Sequence, residues 1–96
     1  MSGSLNHGAK LYDNRIGVEG AKAVGESLRV NGSLKTLNLA NTGLGAEGAE
    51  AIADALRVNG SLTKLDVRFN ELDDEAKALL CDAVKDKSGF ELQDLH

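Results

Sequence analysis

The internal repetition of this chain predicts an α/β solenoid, with short parallel strands on a concave face and helices on a convex one. Three observations lead there. A shift of 28 positions lays Ser33-Leu34-Lys35-Thr36-Leu37-Asn38-Leu39 on Ser61-Leu62-Thr63-Lys64-Leu65-Asp66-Val67, with every apolar position kept apolar. Within a unit, Leu37 and Leu39 alternate with polar neighbours, which suits a short strand buried on one face. Ala49, Ile52, Ala53 and Leu56 then recur at three and four residues, the stripe of an amphipathic helix. A fixed period of this length marks an array in which each unit buries its apolar side on the next.

The first unit is half a repeat, with Asn6 and Ala9 where leucines lead the later units and only Leu11, Asn14 and Ile16 fitting firmly. Its helix carries the stripe Ala21, Val24, Gly25 and Leu28. The second unit runs from Leu34 through the Ala49–Leu56 stripe, and the third repeats Leu62, Leu65, Val67 and Leu72 before a helix with Leu80, Cys81 and Val84 inward. Gly17, Gly45 and Asp73 share one repeat position at the helix starts, and Asp73 is the best N-cap of the three. Glu19, Glu47 and Glu75 follow near the positive helix ends. Asn31-Gly32 and Asn59-Gly60 follow the last apolar positions and are expected to end their helices in the left-handed conformation. On the outer face Glu26–Arg29, Asp54–Arg57 and Asp82–Lys85 are spaced for ion pairs within each helix. The segment 90–95 reads as a closing strand. A strict shift places Gln93 where a buried leucine belongs, so an insertion of two residues, matching Leu92 and Leu95 to Leu62 and Leu65, is favoured.

The pattern Leu34-x-x-Leu37-x-Leu39, followed by Leu44 and a helix, resembles the leucine-rich repeat of the ribonuclease-inhibitor type. The repeat regions of NOD-like receptors, the Ran GTPase-activating protein and tropomodulin are similar in the same way. The resemblance implies a leucine-rich repeat solenoid of about three units over residues 9–96, with 1–8 a leader or remnant. It also implies an asparagine after each strand that bonds the backbone of the turn, a position held here by Asn14, Thr42 and Asn70. Thr42 departs from that pattern, and either Asn41 or the Thr42 hydroxyl takes over the task.

At 96 residues the chain makes one domain, and with aromatics at 3% its core is aliphatic. A net charge of −4 with interleaved signs opposes a nucleic-acid groove, which needs a concentrated basic stripe. No apolar run approaches a membrane span and no secretion signal opens the chain, so the expectation is a cytoplasmic protein. Cys81 is without an internal disulfide partner and matches Ala53, which points to a small core residue.

Motifs for chemistry are weak. His7 and His96 lie at opposite ends without zinc-site spacing, and Asp73-Asp74-Glu75 lacks the alternating oxygens of a cation loop, so no metal is expected. Gly43, Gly45 and Gly48 spell a dinucleotide-like series, but they fall in a repeated turn where tight turning and close helix packing account for them. Asn31-Gly32-Ser33 and Asn59-Gly60-Ser61 match glycosylation acceptors formally, yet helix termination explains both. No activated nucleophile is present in the pattern, so neither an enzyme nor a cofactor is expected.

Alternation instead sends Thr36, Asn38 and Ala40, then Lys64, Asp66 and Arg68, to the solvent side of the strands. Lys10 and Tyr12 extend this face on one side, with Asp94 and His96 on the other. The expected partner-binding residues are thus Lys10, Tyr12, Thr36, Asn38, Lys64, Asp66, Arg68 and Asp94, with Tyr12 and Arg68 as the strongest anchors. The expected function is a protein-protein interaction module. The alternative is a self-assembling unit that forms a homodimer through its exposed N-terminal edge. A GTPase-activating role would rest on fold resemblance alone.

Overall fold

The computed structural model describes residues 8–10, by their backbone, and residues 15–93. Strands and helices alternate along the chain. They are β1 (Gly8–Lys10), α1 (Gly17–Val30), β2 (Thr36–Asn38), α2 (Gly45–Val58), β3 (Lys64–Asp66), α3 (Asp74–Val84) and β4 (Glu91–Gln93). The strands form one parallel sheet in the order β1-β2-β3-β4. Ala9 pairs with Leu37 and Leu37 with Leu65, so the first three strands keep the 28-residue shift in register.

The core lies between sheet and helices. Leu37 and Leu65 point into it from the strands, Leu39 and Val67 from just beyond them, and Leu28, Ile52, Leu56 and Leu80 from the helices. α2 is buried more widely than its neighbours, with Gly48, Ala49, Ile52, Ala53, Ala55 and Leu56 all enclosed, because α1 packs on one flank and α3 on the other. That packing is close. A Cβ on Gly25 would stand 3.0 Å from the Ala51 carbonyl oxygen, and one on Gly48 would stand 3.1 Å from the Ala21 Cβ. The dinucleotide-like glycine series is thereby explained by turns and helix packing.

Three local expectations are corrected. Cys81 is exposed rather than buried. Ala53, at the same repeat position, is covered because α3 lies beside α2, whereas among the described residues no helix lies beyond α3. Asn31 and Asn59 do not enter the left-handed region; they are extended, at φ −86° and −89°. Their side chains end the helices instead. Asn31 Oδ1 accepts from the N–H groups of Ser33 and Leu34 at 2.8 and 2.7 Å, and Asn59 Oδ1 accepts likewise from Ser61 and Leu62 at 3.0 and 2.8 Å. The Asn59 amide also donates back to the Leu28 and Asn31 carbonyls at 2.7 and 3.0 Å, tying one layer to the one before. In the next layer Lys87, 28 residues on, does this with its Nζ, donating to the Asn59 carbonyl at 2.7 Å.

The third correction concerns β4. Leu92 pairs with Leu65, a separation of 27 residues, so the last unit is one residue shorter than the period rather than two longer. The shortening is local. α3 stops at Val84, and a tight turn follows in which Lys87 N–H donates to the Val84 carbonyl at 2.9 Å and Gly89 takes φ +77°.

Helix starts follow the residue present. Gly45 opens α2 at φ +66°, a conformation that side chains resist, whereas Asp73, at the equivalent position, is extended and its carboxylate accepts from the Ala76 N–H at 2.8 Å. Asp73→Ala is expected to cost about 1 kcal/mol, read as a lower urea midpoint; an unchanged midpoint would contradict the cap. On the outer face Asp54–Arg57 and Asp82–Lys85 pair at 4.0 and 3.0 Å, and Arg57 also reaches Asp82 across helices at 3.2 Å. Glu26 and Arg29 form no ion pair among the described residues.

The expected solenoid, curved around a concave strand face, is replaced by a single uncurled α/β unit. Its radius of gyration is 12.0 Å and its extents are 36 × 30 × 20 Å, the size of a globule of this length. Length is the reason. Four strands spaced about 4.8 Å apart make too narrow a sheet for the small rotation between neighbours to build a concavity.

Candidate functional site

Among the described residues, the helices cover one side of the sheet and leave the other open. Register and alternation arrange that open face in two rows. Gly8, Thr36, Lys64 and Glu91 form one row, and Lys10, Asn38, Asp66 and Gln93 the other. Thr36 and Glu91 are exposed, and Asn38, Lys64 and Gln93 are half-buried. Together with Leu37, Asp66 and Arg68, four of these line a depression of about 380 Å³: Thr36, Asn38, Lys64 and Gln93.

Asp66 is the unusual member, because a carboxylate expected in solvent is only 5% exposed. Arg68 resolves its burial. Asp66 Oδ1 accepts from the Arg68 backbone N–H at 3.1 Å and from Nε at 3.0 Å, while Oδ2 accepts from Nη2 at 2.8 Å. This two-pronged pairing locks a half-exposed guanidinium in one orientation. One strand earlier Asn38 makes the neutral version, its Oδ1 accepting from the Ala40 N–H at 3.0 Å.

Burial by itself would raise the Asp66 carboxyl above its ordinary pKa. The hydrogen bonds from Arg68 and the positive charges of Arg68 and Lys64 outweigh it and hold the group below 3.8. A carboxyl depressed in the folded state adds stability that is fully present above its unfolded pKa and is lost as pH falls through the folded one. Wild type is therefore expected to lose stability on acidification below about pH 4, and Asp66→Asn to lose less over the same interval. Urea midpoints measured along an acid series check this, and parallel curves for the two proteins would refute it.

Of the expected partner-binding residues, the structure brings Thr36, Asn38, Lys64, Asp66 and Arg68 to one face and places the backbone of Lys10 opposite Asn38 in the ladder. Tyr12 and Asp94 lie outside the described residues. Glu91 and Gln93 were not anticipated on this face. Their alternation with Leu92 is readable in the sequence, but the one-residue shortening before β4 hides the register that sets them beside Lys64 and Asp66.

Among the described residues, no group of three or more His, Cys, Asp or Glu side chains is placed to hold a metal ion. No helix among them is long and apolar enough to cross a membrane.

A family model described as Leucine Rich repeat matches residues 30–53 and 58–80, just under half of the chain. Among solved structures the chain is similar to one described as Leiomodin-1 Actin-Binding Site 2 (ABS2). The TM-score is 0.84 at 24% sequence identity, over 93% of this chain and 53% of that one. This chain thus spans about half the length of that structure. No curated protein matches the sequence. The fold likeness lies with the leiomodin-1 module, and it corrects the assignment to a solenoid of the ribonuclease-inhibitor type. The leucine spacing that carried that resemblance is met equally by this single small α/β unit, because it specifies strand and helix faces but no number of turns.

Proposed function

We propose that the chain is a protein-binding module, not an enzyme, and that it engages its partner through the open face of the sheet. The observation that carries this reading is the Asp66–Arg68 pair. A guanidinium already fixed by two carboxylate oxygens loses little freedom when a partner's acceptor meets its exposed side. Lys64 and Gln93 add donors beside it and Thr36 and Asn38 extend the surface; Lys10, Tyr12 and Asp94 are assigned to it from the strand alternation in the sequence alone. Filamentous actin is the natural first probe, because the similar solved structure is described as an actin-binding site. Co-sedimentation and pull-down with wild type, and with Tyr12 and Arg68 both changed to alanine, test the proposal. Loss of the bound protein by the double variant with unchanged oligomeric state supports it; full retention overturns the assignment of the face.

A second reading, assembly into a homodimer through the N-terminal edge, rests on a separate observation. Ala23, Val24, Ser27, Leu28, Asn31, Leu34 and Leu37 line an apolar cavity of about 280 Å³ on that flank. Their counterparts 28 residues later, among them Ile52, Ala55, Leu56, Leu62 and Leu65, are buried beneath the preceding layer. Sedimentation velocity at high micromolar concentration decides between dimer and monomer, and a monomer throughout would end this reading.

A further inference from the structure

The turn between β3 and α3 carries two features that neither the core nor the sheet face requires. Phe69 is 59% exposed, and both Phe69 and Glu71 adopt positive φ, 62° and 55°. The preceding turn puts Asn41 (φ 54°) and Gly43 (φ 77°) at the same two repeat positions, residues that tolerate this conformation well. A bulky aromatic and a glutamate do not. Nor is their exposure an end effect. Asn41 and Gly43 are exposed too, although the next layer covers their turn, with Asn41 N–H donating to the Arg68 carbonyl and Thr42 N–H to Asn70 Oδ1. Side chains at these positions therefore point away from the stack whatever lies beyond it.

Around Phe69 the surface combines one apolar patch with an excess of acid, two carboxylates to one lysine. Phe69 and half-buried Leu72 border an open depression of about 670 Å³ together with Glu71, Asp74 and Lys77. Asp73 and Glu75, next to Asp74 in sequence, are exposed too, with one Asp73 oxygen taken by the Ala76 N–H, while Arg68 is engaged by Asp66. We infer that this turn is a docking surface for a segment of a partner protein that presents an apolar or aromatic side chain flanked by lysine or arginine. The apolar side chain lies against Phe69 and Leu72, and the cations face Glu71 and Asp74. A second copy of this chain fits poorly, since a symmetric contact would set these carboxylates against themselves. The surface is separate from the open sheet face and stands or falls without it.

The test uses the double change Phe69→Asn and Glu71→Gly, which copies the preceding turn and relieves both strained positions, so the variant folds. A phage-displayed library of short random peptides is selected on wild type, and the enriched sequences are remeasured as synthetic peptides by fluorescence anisotropy. Enriched peptides are expected to pair an apolar residue with Lys or Arg. They should weaken as salt rises and lose about tenfold or more in affinity on the double variant, while that variant unfolds at a higher urea concentration than wild type. Lys64→Ala with Gln93→Ala, on the sheet face, should leave peptide binding unchanged. Several results would overturn the inference: no enrichment, enrichment of acidic peptides, equal affinity for the double variant, or self-association of wild type that the double change abolishes.

Discussion

Replacing Asn70 by alanine is expected to remove about 3–5 kcal/mol of stability, a large share of what a domain of this size possesses. The side chain is 3% exposed and every polar atom on it is used. Its Oδ1 accepts from the Thr42 and Leu44 N–H groups at 2.9 and 3.1 Å, and its Nδ2 donates to the Leu39 and Val67 carbonyls at 2.8 and 3.0 Å. Alanine would leave two buried donors and two buried acceptors short of a partner, each costing about 1–3 kcal/mol before relaxation. One local substitute remains, because the Thr42 hydroxyl already donates to the Leu39 carbonyl at 2.8 Å. Urea unfolding followed by far-ultraviolet circular dichroism measures the loss. A deficit under about 1 kcal/mol would show that water satisfies the turn as well as the amide does.

The second large effect is expected at Leu65. Its side chain is fully buried at the middle of the sheet, between Leu37 and Leu92 in the parallel ladder. Leu65→Ala deletes apolar atoms where strands hold both sides in place, so the cavity collapses little and the cost falls in the upper part of the usual 2–5 kcal/mol, or about 4 kcal/mol. Leu92→Ala, at a half-buried position on the edge strand, is expected to cost clearly less. The ratio of the two urea-derived losses is the check, and equal losses would mean that β4 is as enclosed as β3.

The same two residues illustrate what could be read in advance. The self-match of Leu37 with Leu65 is visible as letters, and the ladder pairs them in that register. Asn70 and Thr42 could be singled out from their place after the strand, and the hydroxyl, one of two candidates, proved to bond the turn. Asn59 shows the opposite. Asn-Gly after a helix reads as a left-handed cap because local propensity favours it, yet the residue is extended, its Oδ1 holding the next two N–H groups and its amide reaching two carbonyls of the preceding layer. Propensity describes one segment at a time, and those acceptors are 28 and 31 residues away. Gln93 was misplaced for a related reason: a turn one residue shorter leaves no mark in composition, but it shifts every later residue by one place in the ladder.

The open face was legible as a list of alternating polar residues, whereas its electrostatics were not. Asp66 ends β3 and Arg68 follows it by two residues in the turn, a spacing that suggests the same side without revealing that one is buried beneath the other. Phe69 likewise reads as an ordinary apolar residue until its φ and exposure are known.

The amino-acid order by itself determined the repeated strand-and-helix unit, its inward leucines and the aliphatic core, because period and polarity are properties of the chain alone. Only the tertiary structure decided how far the units curve, which neighbour covers each one, and where β4 meets β3. Those outcomes depend on contacts between layers, and the energy of such a contact belongs to both partners at once.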